Sequence, residues 1–163
     1  MTNRTVLLAT VLVSALYACS DFTSVDTASV ERTLERQHTE VWSKGNFDSI
    51  SSIYTKDYVG HFPGGQTVNG HAGLRKTVQS HRVSFPNWDE QVLEIIVDGN
   101  HAATRFRSRG THDGEFLGIP ATGNRIDILE ASIYHMVGGK IAEQWAFPDV
   151  ASLQQQLAPQ QNE

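Results

Sequence analysis

The chain has a single cysteine, Cys19, among its 163 residues. One thiol excludes an internal disulfide and any zinc site built from several thiolates. Positive charge is also scarce. The 13 Lys and Arg residues stand against 18 Asp and Glu, a formal net charge of −5. A phosphate backbone requires a basic face, so this balance argues against nucleic acid as a partner. Only one long apolar run is present, residues 6–16, and it is too short to span a bilayer comfortably. No internal repeat is visible. No G-x-S-x-G elbow marks a serine nucleophile.

What is there begins with a leader pattern. Arg4 supplies a small positive region, the uncharged run follows, and the segment closes on Leu16-Tyr17-Ala18-Cys19. This resembles the bacterial lipoprotein signal, in which cleavage before the cysteine makes the thiol the lipid attachment point. The resemblance implies a signal peptide at residues 1–18 and lipidation of Cys19. It implies a bacterial envelope location, anchored by lipid only. Ser20 rather than Asp after the cysteine favours the outer membrane by analogy, with secretion to the periplasm as the alternative. Residues 19–27 read as a polar tether, 28–158 as the folded domain and 159–163 as a disordered tail. That domain is long enough to bury one sizeable core.

Within the domain, Val30, Leu34, His38, Val41 and Trp42 recur at helical spacing, and Gly45 ends the run. A second, shorter helix is expected through Ile50 and Ile53, and a third over Asn69 to Arg82. One early strand, Asp57 to Phe62, sits among them. From Trp88 the chain turns β-rich, with strands at Val92–Val97 and Ala102–His112 and a hairpin over residues 126–149. Gly138-Gly139 suits the tight turn of that hairpin. Helices followed by a mostly antiparallel sheet predict an α+β domain. A curved sheet wrapped over the N-terminal helices leaves a conical pocket suited to an apolar small molecule.

Four segments together resemble one family: WSKGNFDSISSIYTKDYVGH, RVSFPNW, RGTHDGEFLGIPATG and GGKIAEQWAFPDV. They are similar to the SnoaL-like polyketide cyclases, often labelled predicted ester cyclases, of the nuclear-transport-factor-2-like superfamily. The similarity runs from about Glu31 to Leu157. It implies a cone-shaped α+β barrel and a homodimer or higher homo-oligomer built through the outer face of the sheet. It also implies an aldol closure driven by an acid–base Asp and a nearby His, without cofactor or metal. Asp149 and His135 stand at those positions.

The residues themselves allow more than one reading. Leu129, Ala131, Ile133, His135 and Val137 share one face of the first hairpin strand, which would turn His135 into the cone. Asp149 could equally cap the helix that follows. In a flat hairpin, counting back from the turn leaves Asp149 far from His135, so a working pair requires a bend at Phe147–Pro148. His61, His112, Phe62, Phe116, Trp145 and Phe147 are expected to contact substrate. The alternatives are a surface role for His61 and ordinary core for the aromatics. Arg105, Arg107 and Arg109 alternate along one strand and read as a solvated face or as cross-strand ion pairs. The His and Asp side chains are of types that suit zinc, but their spacing matches no metal motif. Three functions stay open: cofactor-free acid–base chemistry (aldol cyclisation, isomerisation or hydration) on an apolar carbonyl compound, a non-catalytic small-molecule-binding envelope lipoprotein, and a purely structural envelope protein with a filled cone.

Overall fold

A computed structural model describes residues 26–159. Cys19 and the leader, on which the lipoprotein reading depends, lie outside the described residues. Asp26 opens the first helix, α1 (Thr27–Arg36), by accepting a hydrogen bond from the Ser29 amide. The helix runs on into a π-helical turn, Gln37–Ser43. A π turn carries an extra residue, which alters which side chains share a face. Here the adjacent Gln37 and His38 are both buried, together with Val41 and Trp42.

A short 3₁₀ turn and α2 (Ile50–Ile53) lead into β1 (Tyr54–Phe62). The Pro63-Gly64-Gly65 turn returns the chain along β2 (Gln66–Asn69), a strand not expected from the sequence. Next come α3 (Gly70–Ser84), β3 (Asp89–Asp98), β4 (His101–Thr111), β5 (Arg125–Val137) and β6 (Lys140–Pro148). The closing element, α4 (Val150–Leu157), is a two-turn helix.

The strands form one six-stranded sheet in the order β2-β1-β6-β5-β4-β3. All neighbours are antiparallel except β1 and β6. The sheet is open, and the helices cover one face of it. Val30, Leu34, Val41, Ile50, Ile53, Leu74 and Val78 meet Tyr54, Tyr58, Tyr134, Met136 and Ile141 in the main core. A second cluster closes the other end, where Phe85, Trp88, Ile126 and Ile128 pack around Leu157 of α4. The α+β architecture expected from the sequence is therefore present.

One expectation is corrected at this level. On β5 the buried residues are Ile126, Ile128, Ser132, Tyr134 and Met136. The apolar row Leu129, Ala131, Ile133 and Val137 therefore lies on the outer face, and His135 lies with it. Two-residue alternation assigns each residue to one of two faces but does not say which face is inside. On β6 a register shift between His135 and Met136 places Ile141 and Gln144 inward. Glu143, Trp145 and Phe147 take the outer side.

Candidate functional site

The inner face of the sheet is polar where β3, β4 and β5 meet. The register aligns Glu90, Ser108 and Ile128 in one row, Val92, Phe106 and Glu130 in the next, and Ile95, Thr104 and Ser132 in the third. His38, delivered by the π turn, reaches this face from the helical side. Its Nδ1 lies 2.6 Å from Glu90 Oε2, and its ring packs 4.3 Å from Phe106. Trp88 Nε1 donates to the other Glu90 oxygen at 3.0 Å. An ionised Glu90 can only accept, so the His38 proton belongs on Nδ1. His38 Nε2 is then free to accept from Thr104 Oγ1 at 3.2 Å or Tyr134 Oη at 3.3 Å. Gln37 extends the network, donating to Tyr134 Oη and accepting from Tyr54 Oη. Burial pushes the hydroxyls of Tyr54, Tyr58 and Tyr134 well above the ordinary tyrosine range, so they remain protonated donors.

Glu130 differs from Glu90 in having no hydrogen-bond partner for its Oε1. Burial pushes its carboxyl up to about 8, and the nearby Glu90 carboxylate adds to the rise. Near neutral pH it is therefore mostly a neutral acid, able to donate. Three more buried polar atoms among the described residues lack a partner: Ser108 Oγ, His112 Nε2 and His81 Nε2. Natural interiors leave few such atoms, and each calls for an explanation. Gly110 lets Trp88 and Phe85 pack closely against β4 here. A Cβ there would stand 2.8 Å from Trp88 Cε3, so glycine leaves room for the indole that binds Glu90.

The SnoaL-like polyketide cyclase family matches residues 32–157 of this chain. The chain belongs to that family. Membership supports a cyclase-type function. Among solved structures, this SnoaL-like protein resembles a candidate polyketide cyclase from Acidithiobacillus ferrooxidans, with 26% identity, a TM-score of 0.72, and coverage of 81% of this chain and 96% of that one. It resembles IdmH, a candidate polyketide cyclase from Streptomyces antibioticus, at 26% identity and TM-score 0.69, over 78% and 97% of the two chains. A candidate SnoaL-like polyketide cyclase from Jannaschia sp. shares the fold, with 24% identity and a TM-score of 0.76, over 82% and 94%. No curated protein matches.

The SnoaL-like chain does not bring the expected His135–Asp149 pair together. His135 stands on the outer face, accepting from Asn100 Nδ2 at 3.0 Å and lying beside His101. Asp149 caps α4, its carboxylate accepting from the amide and hydroxyl of Ser152. Those bonds hold its carboxyl below the usual range. The Asp149 amide donates to Leu129 O, which puts it level with a residue six positions from His135. At about 3.3 Å per residue the two side chains are roughly 20 Å apart along the strand. The strand β6 runs through Phe147 and ends at Pro148, without the bend that would close this gap.

The other expected contacts divide in two. His112 and Phe116 each pack against Phe85 at the closed end. Phe62 packs on the core beside Trp42. His61 and Trp145 stack on each other at 5.3 Å on the outer side, where His61 Nε2 also pairs with Glu143 at 2.7 Å. Phe147 is 54% exposed. The arginines form ion pairs as expected, Arg105 with Glu94 and both Arg107 and Arg109 with Asp127. No group of three or more His, Cys, Asp or Glu residues is arranged around a metal position among the described residues.

The sequence reading missed Glu90, Glu130, Ser108 and His81. A signal for one of them was present, since Glu130 alternates with the apolar row on β5.

Proposed function

We propose that this SnoaL-like protein is a cofactor-free acid–base catalyst acting on an apolar carbonyl compound inside the cone, by aldol cyclisation or a related isomerisation or hydration. Glu90 is the base, His38 and Trp88 position it, and Glu130 is the acid. The observation that carries this reading is the pair of inward carboxyls in unlike settings. Glu90 is held by two nitrogen donors, while Glu130 is sealed from solvent at an oxygen with no partner. Two carboxyls in such unlike surroundings suit one to each role.

The chemistry follows from that division. Glu90 takes a proton from the carbon next to the carbonyl, and the electron pair moves onto the carbonyl oxygen. Glu130 donates a hydrogen bond to that developing negative charge, in a site where water is largely excluded. When the enolate carbon attacks a second carbonyl, Glu130 protonates the new alkoxide. The proton held on Glu90 then restores Glu130, and the site returns to its starting charge.

The test uses α-tetralone, an apolar ketone, in deuterium oxide, with exchange of its α-protons followed by NMR. Exchange above the buffer rate is expected. Glu90→Gln should lower it by about 10²–10⁴-fold, the usual contribution of a positioned base. Binding of the ketone without exchange would instead favour the receptacle reading.

The outer face takes a second copy of this chain in the same proposal. Ile96, Leu129, Ile133 and Phe147 are 59%, 52%, 45% and 54% exposed there. They flank the Glu94–Arg105 and Arg107–Asp127 pairs, whose alternating signs suit a two-fold mate. Attachment at Cys19 remains part of the proposal. It is tested by mass spectrometry of the mature N-terminus, where an unmodified terminus beyond Cys19 would sink it.

A further inference from the structure

From β3 to β6, one row of the outer face is wholly polar. The register sets Asp98 on β3 opposite His101 on β4, His101 opposite His135 on β5, and His135 opposite Glu143 on β6. The row lies at the end of the sheet that carries the Gly99-Asn100 and Gly138-Gly139 turns. Asn100 and His101 are exposed there, and His135 is half-buried. Two histidines set directly opposite each other gain nothing from ion pairing, and would repel if both were protonated. The pair therefore calls for a different account from the Arg–Asp pairs farther along the same face.

The geometry suits one shared ion. The two ring centres are 5.2 Å apart, with the planes tilted by 31°. Two imidazoles that hold zinc through nitrogens at about 2.0–2.1 Å, at a tetrahedral angle, have ring centres roughly 5 Å apart. Turning the rings, without moving the strands, then aims a nitrogen of each at one point. Asn100 prepares His135 for this. Accepting from the Asn100 amide puts the His135 proton on Nδ1 and leaves the Nε2 lone pair for a ligand bond. The Met136 amide donates to Asn100 O at 2.7 Å, which holds that turn against β5. Rotating the Asn100 amide exchanges its nitrogen for its oxygen, so Oδ1 arrives beside His135 as a third donor. Asp98 and Glu143 add negative charge on either side, which favours a cation. Lys140, beside the second turn, is bonded to Ser51 O.

We propose that His101 and His135 are the nitrogen ligands of a divalent transition-metal site on the outer face, with Asn100 Oδ1 as a third donor and water completing the set. Imidazole nitrogen selects zinc, nickel(II) and copper(II) over magnesium and calcium, which take oxygen ligands. Two imidazoles make an open site rather than a closed structural one, so the ion exchanges with solvent. It ties the β3–β4 turn to β5. The site stands apart from the interior carboxyls and does not rest on the acid–base reading.

The test titrates the untagged, full-length protein with zinc, nickel(II), copper(II) and magnesium chlorides by calorimetry. One transition-metal ion per chain is expected, with copper(II) the tightest and magnesium not bound. The melting temperature should rise with the ion, because the folded chain holds it. Electron paramagnetic resonance of the copper form should show coupling to two nitrogens. His101→Gln and His135→Gln should each weaken binding by at least about tenfold and leave coupling to one nitrogen. Both side chains stand on the outer face, so the metal-free variants should melt like wild type. His61→Gln should keep the affinity within about twofold. The proposal is overturned if no transition metal binds at about 1 mM, or if magnesium binds as tightly as nickel. It is equally overturned if both folded glutamine variants bind like wild type. Loss of binding in His61→Gln also overturns it, because the ion would then belong to the His61–Glu143 pair.

Discussion

The two faces of the sheet blur the usual division of labour, with buried polar groups set beside the covered core and exposed apolar groups beside the outer ion pairs. An antiparallel sheet with one covered side ordinarily buries its apolar residues and shows its polar ones. Here the covered side carries Glu90, Ser108, Glu130, Ser132 and Thr104, while Leu129, Ile133 and Ile96 stand open on the other. Polar groups are costly to bury unless they find partners. Most of the inner ones do, through Gln37, His38 and Trp88, while Ser108 Oγ and Glu130 Oε1 do not. The apolar outer row is the face where a second copy of this chain is proposed to dock. In the proposed function the inner face holds the chemistry and the outer face the contact.

The largest expected effect breaks the inner face. A carboxyl raised to about 8 binds more protons in the folded than in the unfolded chain, where it titrates near 4.5. Stability is then greatest below the unfolded value and falls as pH rises through the folded one. Glu130→Gln removes that dependence while keeping the shape. Its advantage over wild type should grow between about pH 4.5 and 8 to an order of a few kcal/mol, read by denaturant titrations at several pH values. A constant difference across this range would mean that Glu130 is ionised in the folded protein. Stability gained there should come with loss of α-proton exchange.

A middle-sized effect attacks the geometry that holds Glu90. Gly110→Ala places a methyl group against Trp88 and Phe85. Overpacking of this kind costs about 1–3 kcal/mol. The indole that donates to Glu90 is displaced with it, so both melting temperature and ketone binding should fall. A variant that melts like wild type yet binds normally would show that Trp88 has room to move.

On the outer face the expected change is in assembly rather than in folding. Ile133→Lys adds a charge to a residue that is already 45% exposed, so the fold should be kept to within about 0.5 kcal/mol. Light scattering coupled to size exclusion should report a shift from dimer to monomer. An unchanged mass for the variant would remove the second copy from this face.

How much of this was legible follows from the same comparison. The helical spacing of Val30, Leu34, His38, Val41 and Trp42 marked five residues that are all buried. Gly138 and Gly139 both take the positive φ that the hairpin turn needs, at 57° and 74°. Local pattern suffices for such features. The inside of the sheet was not legible in that way. Hydrophobic alternation on β5 was read as core, when it belonged to the outer surface. The π turn that brings Gln37 and His38 inward together, and the register shift at Met136, both break the period on which the pattern depends. Glu90 and His38 are distant in sequence, and only the fold brings them together.

The smallest expected effect concerns Asp149, and it sharpens the contrast between two carboxyls. Asp149 is exposed and satisfied, bonded to the Ser152 amide at 3.0 Å and to its hydroxyl at 2.6 Å. Those bonds favour its ionised form and hold it below the usual range. Its contribution is therefore present above its unfolded pKa and is lost as pH falls through the folded value, opposite in sign to Glu130. Asparagine caps a helix about as well as aspartate, because its carbonyl oxygen accepts the same amide. Asp149→Asn should leave α4 docked through Leu157 and leave α-proton exchange within about twofold of wild type, since none of the 10²–10⁴-fold effect of a positioned acid or base should depend on it. Asp149→Ala should loosen the helix and lower the melting temperature slightly, with exchange again little changed. A hundredfold loss of exchange in the well-folded Asn variant would return Asp149 to the reaction and require β6 to bend in a liganded state.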